Sequence, residues 1–216
     1  MTVTSADLVA ADALFGEALR GTACHLVVAG GRPLPLPVAA WDRPVDGDDE
    51  VLLELCSGPT LDVGCGPGRL VAALVARGAT ALGIDLAAEA VAQTLARGAP
   101  ALRRDVFGPL PGEGTWGTAL LADGNLGIGG DPLGLLLRLR RVVAPTGLVV
   151  TEIAGPGVPT ASLRAHLRCG ELRSAEFGWS VIGVDGLPEL AADAGLTVRR
   201  LTRSGSRWFA TLGSSR

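Results

Sequence analysis

The sequence predicts an α/β fold in which a mostly parallel sheet is covered by helices on both faces. Three observations predict it. Short apolar strand segments recur at 60–63, 80–84, 118–122 and 148–153 and lack the in-out alternation of a sheet that faces water. Helical stretches separate them, as crossovers between parallel strands require. The first strand runs directly into Gly64-Cys65-Gly66-Pro67-Gly68, a strand-to-helix turn suited to holding a ligand.

Before this core, residues 5–20 carry a helical pattern, with Leu8, Leu14, Phe15 and Leu19 apolar and Asp7, Asp12, Glu17 and Arg20 polar. Gly21 stops it, and 26–28 read as a short strand. Pro33, Pro35 and Pro37 predict an extended, helix-free connection to Trp41. Residues 1–46 thus form an N-terminal helix and proline-rich cap on a domain spanning 47–216. The acids Asp48, Asp49 and Glu50 suit a helix start, and Ser57-Gly58-Pro59 ends that helix. Helices are expected over 70–76 and 87–97, with a weak third strand at 101–103. Asp131-Pro132 starts another helix, because Asp caps and Pro suits the first helical position. That helix should stop at Pro145, and 148–153 follow as the fifth strand. Residues 163–168 and 175–182 read as two strands, although the first is equally compatible with a helix. Asp185 is read as the cap of a helix ending at Gly195, and 196–201 with 208–212 flank Ser204-Gly205-Ser206 as a closing hairpin.

Composition narrows the chemistry. A chain of 216 residues, 48% hydrophobic and 19% charged, suits one compact domain with a substantial core. Its 19 basic and 22 acidic residues give a net charge of −3, so no basic surface is available for nucleic acid. Every basic residue is Arg, which excludes Lys Schiff-base chemistry and a phosphate-loop Lys; Tyr is absent too. Cys24, Cys56, Cys65 and Cys169 are widely spaced, predicting four structural thiols and no metal site. No basic-then-apolar leader opens the sequence and no apolar run reaches spanning length, so a cytoplasmic protein with no membrane partner is expected.

In the glycine turn, Gly64 permits the sharp bend, Gly66 a close ligand approach and Gly68 tight entry into the next helix. Asp85 ends the second strand, where an ionised carboxylate can accept from both hydroxyls of a ribose. Asp105, after the third strand, is placed to address an adenine edge. The third glycine falls one residue short of a dinucleotide fingerprint, which makes NAD(P) a minority reading.

Asp62-Val63-Gly64-Cys65-Gly66-Pro67-Gly68-Arg69 resembles motif I of the class I S-adenosylmethionine-dependent methyltransferases. The likeness extends over 60–153 through Gly83-Ile84-Asp85, Arg104-Asp105-Val106 and Leu121-Ala122-Asp123-Gly124-Asn125. It implies a Rossmann-like sheet of seven strands in the order 3-2-1-4-5-7-6, the seventh antiparallel, with residues 155–182 as an insertion on the substrate side. By that resemblance Asp62, Gly64, Cys65, Gly66 and Gly68 sit beside the methionine moiety of S-adenosyl-L-methionine; Arg69 is read as meeting the methionine carboxylate or bonding at the helix start. Asp85 and Leu86 adjoin the ribose, Asp105 and Val106 the adenine, and Asp123, Gly124, Asn125 and Leu126 line the cofactor toward the acceptor. Asp123-Gly124-Asn125-Leu126 lacks the Pro-Pro-aromatic motif of enzymes that methylate bases or glutamine amides.

Methyl transfer from a sulfonium needs alignment and exclusion of water, and a base only when the acceptor holds its proton tightly. His25 and His166, the only imidazoles, are the candidate catalytic residues. On a strand, His166 would share a face with Arg164 and Arg168. Trp41, Asp131 and Trp179 are candidate substrate contacts, the two indoles as walls for a flat or cationic acceptor. The expected activity is methyl transfer to O or N of a small molecule by a monomer or homodimer. A non-methylating protein of the same fold is the alternative, and an NAD(P) oxidoreductase a lesser one.

Overall fold

The computed structural model describes residues 8–215. From the N-terminal side come β1 (Leu8–Val9), α1 (Ala11–Leu19), β2 (Cys24–Val28), β3 (Leu34–Pro35), α2 (Val38–Asp42) and α3 (Gly47–Glu54). An alternating core follows as β4 (Thr60–Val63), α4 (Arg69–Ala76), β5 (Ala81–Asp85), α5 (Ala88–Ala96), β6 (Ala101–Arg103), β7 (Trp116–Leu121), α6 (Pro132–Val142) and β8 (Val143–Ile153). Then come β9 (Ala161–Cys169), β10 (Leu172–Ser174), β11 (Phe177–Val181), α7 (Leu187–Asp193), β12 (Leu196–Ser204) and β13 (Arg207–Ser214).

Seven strands form the main sheet in the order β12-β13-β8-β7-β4-β5-β6, which is the order the resemblance implies. β13 runs antiparallel to both neighbours, while β4, β5, β6, β7 and β8 pair in parallel. Their side chains feed two cores. Ala119, Leu121 and Val149 pack with Leu135, Leu136 and Leu139 of α6, whereas Leu120 and Val150 pack with Leu52 and Leu53 of α3 and Leu74 of α4. This two-sided burial explains why the strands read as unbroken apolar runs. Asp131 caps α6, its carboxylate accepting the Gly134 N–H at 2.9 Å, and a capping box between Asp46 and Asp49 starts α3.

A second sheet of six strands lies beside the first. β9 is its axis: β2 pairs along one edge, and β10 and β11 pair along the other. β3 extends it beyond β2, and β1 pairs in parallel with β10. Residues 24–35 and 161–181, remote in sequence, therefore share one sheet, and α1 packs on it through Leu14 and Ala18. Cys24 and Cys169 are register partners in that sheet and are joined by a disulfide, so the expectation of four thiols is corrected. Cys56 and Cys65 are free.

Other departures have local causes. The N-terminal helix starts at Ala11, and its expected first positions 5–7 lie outside the described residues. The proline connection does contain a helix, α2, because Pro37 restricts only itself and the residue before it. β8 begins at Val143 and tolerates Pro145, since β13 pairs with it only from Leu148 onward and leaves that stretch one-sided. Asp185 does not cap α7; it sits in a 3-10 turn and accepts the Gly157 N–H at 2.7 Å.

Candidate functional site

The C-terminal ends of β4, β5 and β7 open onto a cavity of about 410 Å³, within the range of small-ligand sites. Its floor begins at the glycine turn. Gly64, Gly66 and Gly68 all have positive φ, at 72°, 53° and 84°, which only glycine adopts without strain. A Cβ on Gly68 would collide with Thr94 and one on Gly64 with Asn125, whereas the same vector from Gly66 meets nothing. Gly66 thus presents bare backbone to the cavity.

The turn is pinned from beneath. The Gly64 and Cys65 N–H groups donate to the Ile84 carbonyl at 2.8 and 3.0 Å. Asp85 accepts from Gly66 N–H at 3.0 Å and Ala87 N–H at 2.8 Å, one bond per oxygen, leaving lone pairs free for a diol. Burial pushes the Asp85 carboxyl above its ordinary value, with those amides pulling the other way. Asn125 donates its amide to the carbonyls of Val63 and Gly64 at 3.0 and 2.9 Å, tying the loop after β7 to the turn. Asp105 accepts the Phe107 N–H at 2.9 Å, and Val106 and Leu86 line the wall beside it.

Asp62 lies under the turn, 2% exposed, and its Oδ2 has no hydrogen-bond partner. Burial pushes its pKa up to about 7; Arg69 opposes the rise and the charges of Asp123 and Asp85 add to it. Asp62, Gly68, Gly124 and Leu126 support the site from behind its lining. Burial likewise raises the Cys65 thiol, which leaves it inert beside the turn.

Arg69 borders the cavity but is buried, and its guanidinium is engaged by two carboxylates. It grips both oxygens of Asp123 at 2.8 and 3.1 Å and both oxygens of Asp49 at 3.2 Å. Asp49 is wholly buried; burial alone would raise its pKa, but hydrogen bonds from Arg69, Arg43 and Arg207 hold it well below the carboxylate range. Arg207 also holds Glu152 through two bonds of 2.8 and 2.7 Å.

The opposite wall comes from the second sheet and its helices. Phe15 of α1, Trp41 of α2 and Phe177 and Trp179 of β11 face the glycine turn across the cavity, with Phe107 beside them. Phe15 packs on Trp41 and Phe177 at centroid distances of 6.4 and 6.0 Å. Backbone contact fixes β11 there. A Cβ on Gly127 would overlap the Ser180 carbonyl, and Gly130 and Gly178 face each other with no room for a side chain. The sequence picked out Trp41 and Trp179 but not Phe15, Phe107 or Phe177, whose apolar positions looked like ordinary packing.

The two imidazoles are a correction. His25 and His166 do not line the cavity; they lie on the second sheet, where the inward positions belong to Cys24, Ala165, Leu167 and Cys169. His166 alternates with Arg164 and Arg168 on the outer face, and burial together with Arg173 lowers its pKa. Asp131 is likewise a helix cap outside the cavity lining. Among the described residues no His, Cys, Asp and Glu cluster could hold a metal, and no helix is long and apolar enough to cross a membrane.

Residues 61–151 match the family model described as a methyltransferase domain. An S-adenosylmethionine-dependent methyltransferase from Bacteroides fragilis, solved with S-adenosyl-L-homocysteine, is 20% identical; it aligns over 97% of this chain and 98% of its own with a TM-score of 0.82. The CcbJ methyltransferase of Streptomyces caelestis is 14% identical over 82% of this chain and 92% of its own, at a TM-score of 0.63. A Burkholderia thailandensis 1,6-didemethyltoxoflavin-N1-methyltransferase, solved with 1,6-didemethyltoxoflavin and S-adenosylhomocysteine, is 20% identical over 78% and 76%, at 0.61. No curated protein matches the sequence.

Proposed function

We propose that the chain is an S-adenosylmethionine-dependent methyltransferase that methylates O or N of a small, flat acceptor, a reading supported by the methyltransferase-domain match over 61–151 and by the fold shared with the solved neighbours. One observation carries the reading. A single cavity joins the glycine turn and the Asp85 carboxylate to a wall of Phe15, Trp41, Phe177 and Trp179. The open backbone at Gly66 and the free lone pairs of Asp85 fit the cofactor's methionine and ribose parts. Leu86, Asp105, Val106 and Phe107 border the end that suits adenine. When bound, the cofactor supplies a methyl group already activated on a sulfonium.

The chain's own task is then to align and to exclude water. Aromatic faces opposite the turn stack a planar acceptor and displace solvent from it. No imidazole lines the cavity, so acid-base work there is confined to carboxylates. The toxoflavin enzyme of the same fold, solved with bound 1,6-didemethyltoxoflavin, is in keeping with a small-molecule acceptor.

Calorimetry tests the reading. S-adenosyl-L-homocysteine should bind and NAD should give no heat. Asp85→Ala removes two charge-assisted acceptor sites and should weaken binding about tenfold or more. Absence of S-adenosyl-L-homocysteine binding by the native chain would end the proposal.

A further inference from the structure

Asp123 is the one non-glycine residue with positive φ among the described residues, at 52°. Such a backbone costs about 1–3 kcal/mol and persists only where its surroundings over-determine it. Here they do. The Asp123 N–H donates to Glu152 Oε2 at 2.8 Å, and Arg69 takes both carboxylate oxygens in a parallel fork. Both clamps converge on Asp49, which Arg69 and Arg207 share. Four elements thus fix one side chain, 29% exposed, at the cavity wall beyond β7.

We propose that Asp123 is a catalytic residue that accepts a hydrogen bond from the acceptor, that this acceptor is a neutral amine nitrogen, and that Arg69 is its positioning residue. This rests on the methyltransferase reading above and narrows its acceptor. Arg69 donates to both oxygens of Asp123, so a proton arriving there would have to displace that fork. An alcohol or phenol must give up its proton to become a good nucleophile. A neutral amine attacks through its lone pair with its protons in place. Its lone pair forms the bond to the methyl carbon, while the carbon–sulfur bond breaks and its electron pair stays on sulfur. Positive charge moves from sulfur to nitrogen, where the fixed Asp123 carboxylate stabilises it. The product leaves as an ammonium ion and loses its proton to water.

The test uses the full chain with arylamines, which are neutral at pH 7, and the matching phenols, methyl-labelled cofactor, and calorimetry on protein saturated with S-adenosyl-L-homocysteine. Label should enter the amines and not the phenols. Asp123→Asn, which tolerates the left-handed backbone, should lower kcat/KM about 100-fold. It should also weaken amine binding to the saturated protein about tenfold, with S-adenosyl-L-homocysteine affinity unchanged. Arg69→Lys keeps the charge but loses the fork, and should lower kcat while leaving the cofactor KM in place. Label in the phenols, full transfer by Asp123→Asn, or failure of every arylamine while S-adenosyl-L-homocysteine still binds would overturn the assignment and leave the cofactor reading standing. Weakened S-adenosyl-L-homocysteine binding in Asp123→Asn would instead place this carboxylate on the cofactor. No binding by the native chain defeats both readings.

Discussion

Asp62→Asn reads the electrostatics beneath the glycine turn directly. The Asp62 carboxyl is fully buried and its pKa rises to about 7, first through burial, with Arg69 opposing and Asp123 and Asp85 adding. An unfolded chain would ionise it near pH 3.9. A raised folded value means that the native state holds this proton while the unfolded state has lost it. Stability from this group is therefore complete below the unfolded pKa and is lost as pH rises toward the folded one. Between about pH 4.5 and pH 8 the loss comes to about 3 kcal/mol, at 1.36 kcal/mol per unit. Asn cannot titrate, so Asp62→Asn should gain about that much on the native chain over the same interval. Any fixed cost of burying the amide cancels in the difference. Thermal melts at the two pH values should show a relative change in Tm of about 6–12 °C for a chain of this size. A stability difference between variant and native chain that does not move with pH would show that Asp62 is ionised in the fold.

Three further outcomes are expected. Without reductant, the denatured chain should titrate two thiols, Cys56 and Cys65, and four after reduction; Cys24→Ser with Cys169→Ser should cost about 2–5 kcal/mol, because the bridge spans 145 residues. Gly127→Ala drives a methyl into the Ser180 carbonyl and should destabilise by about 3 kcal/mol or more in chemical denaturation, with the cap released first under limited proteolysis. His25→Gln and His166→Gln should leave kcat within about twofold, since neither lines the cavity; a loss of about 100-fold, the size of a missing general base, would return an imidazole to the site.

The run of local patterns carried much of this protein. Strand 60–63, the glycine turn and the acid at 85 lie within 26 residues of one another, and each depends on backbone geometry that neighbouring residues impose. Even the antiparallel closing strand was legible, because a hairpin is a local structure. The β8 start and α2 were missed where a proline was given more reach than its ring has.

What tertiary structure alone decided is who meets whom. Residues 24–28 and 161–169 pair as one sheet and share a disulfide, which no spacing between them announces. Phe15, Trp41 and Phe177 became a cavity wall only when that sheet brought three distant segments together, and the same act turned His25 and His166 away. Arg69, expected near the methionine carboxylate or the helix start, was claimed by Asp49 and Asp123. Periodicity and turn chemistry are set over a few residues. The direction in which a buried charge finds its partner is set by long-range packing, where desolvation makes every ion choose the counter-charge that the fold places beside it.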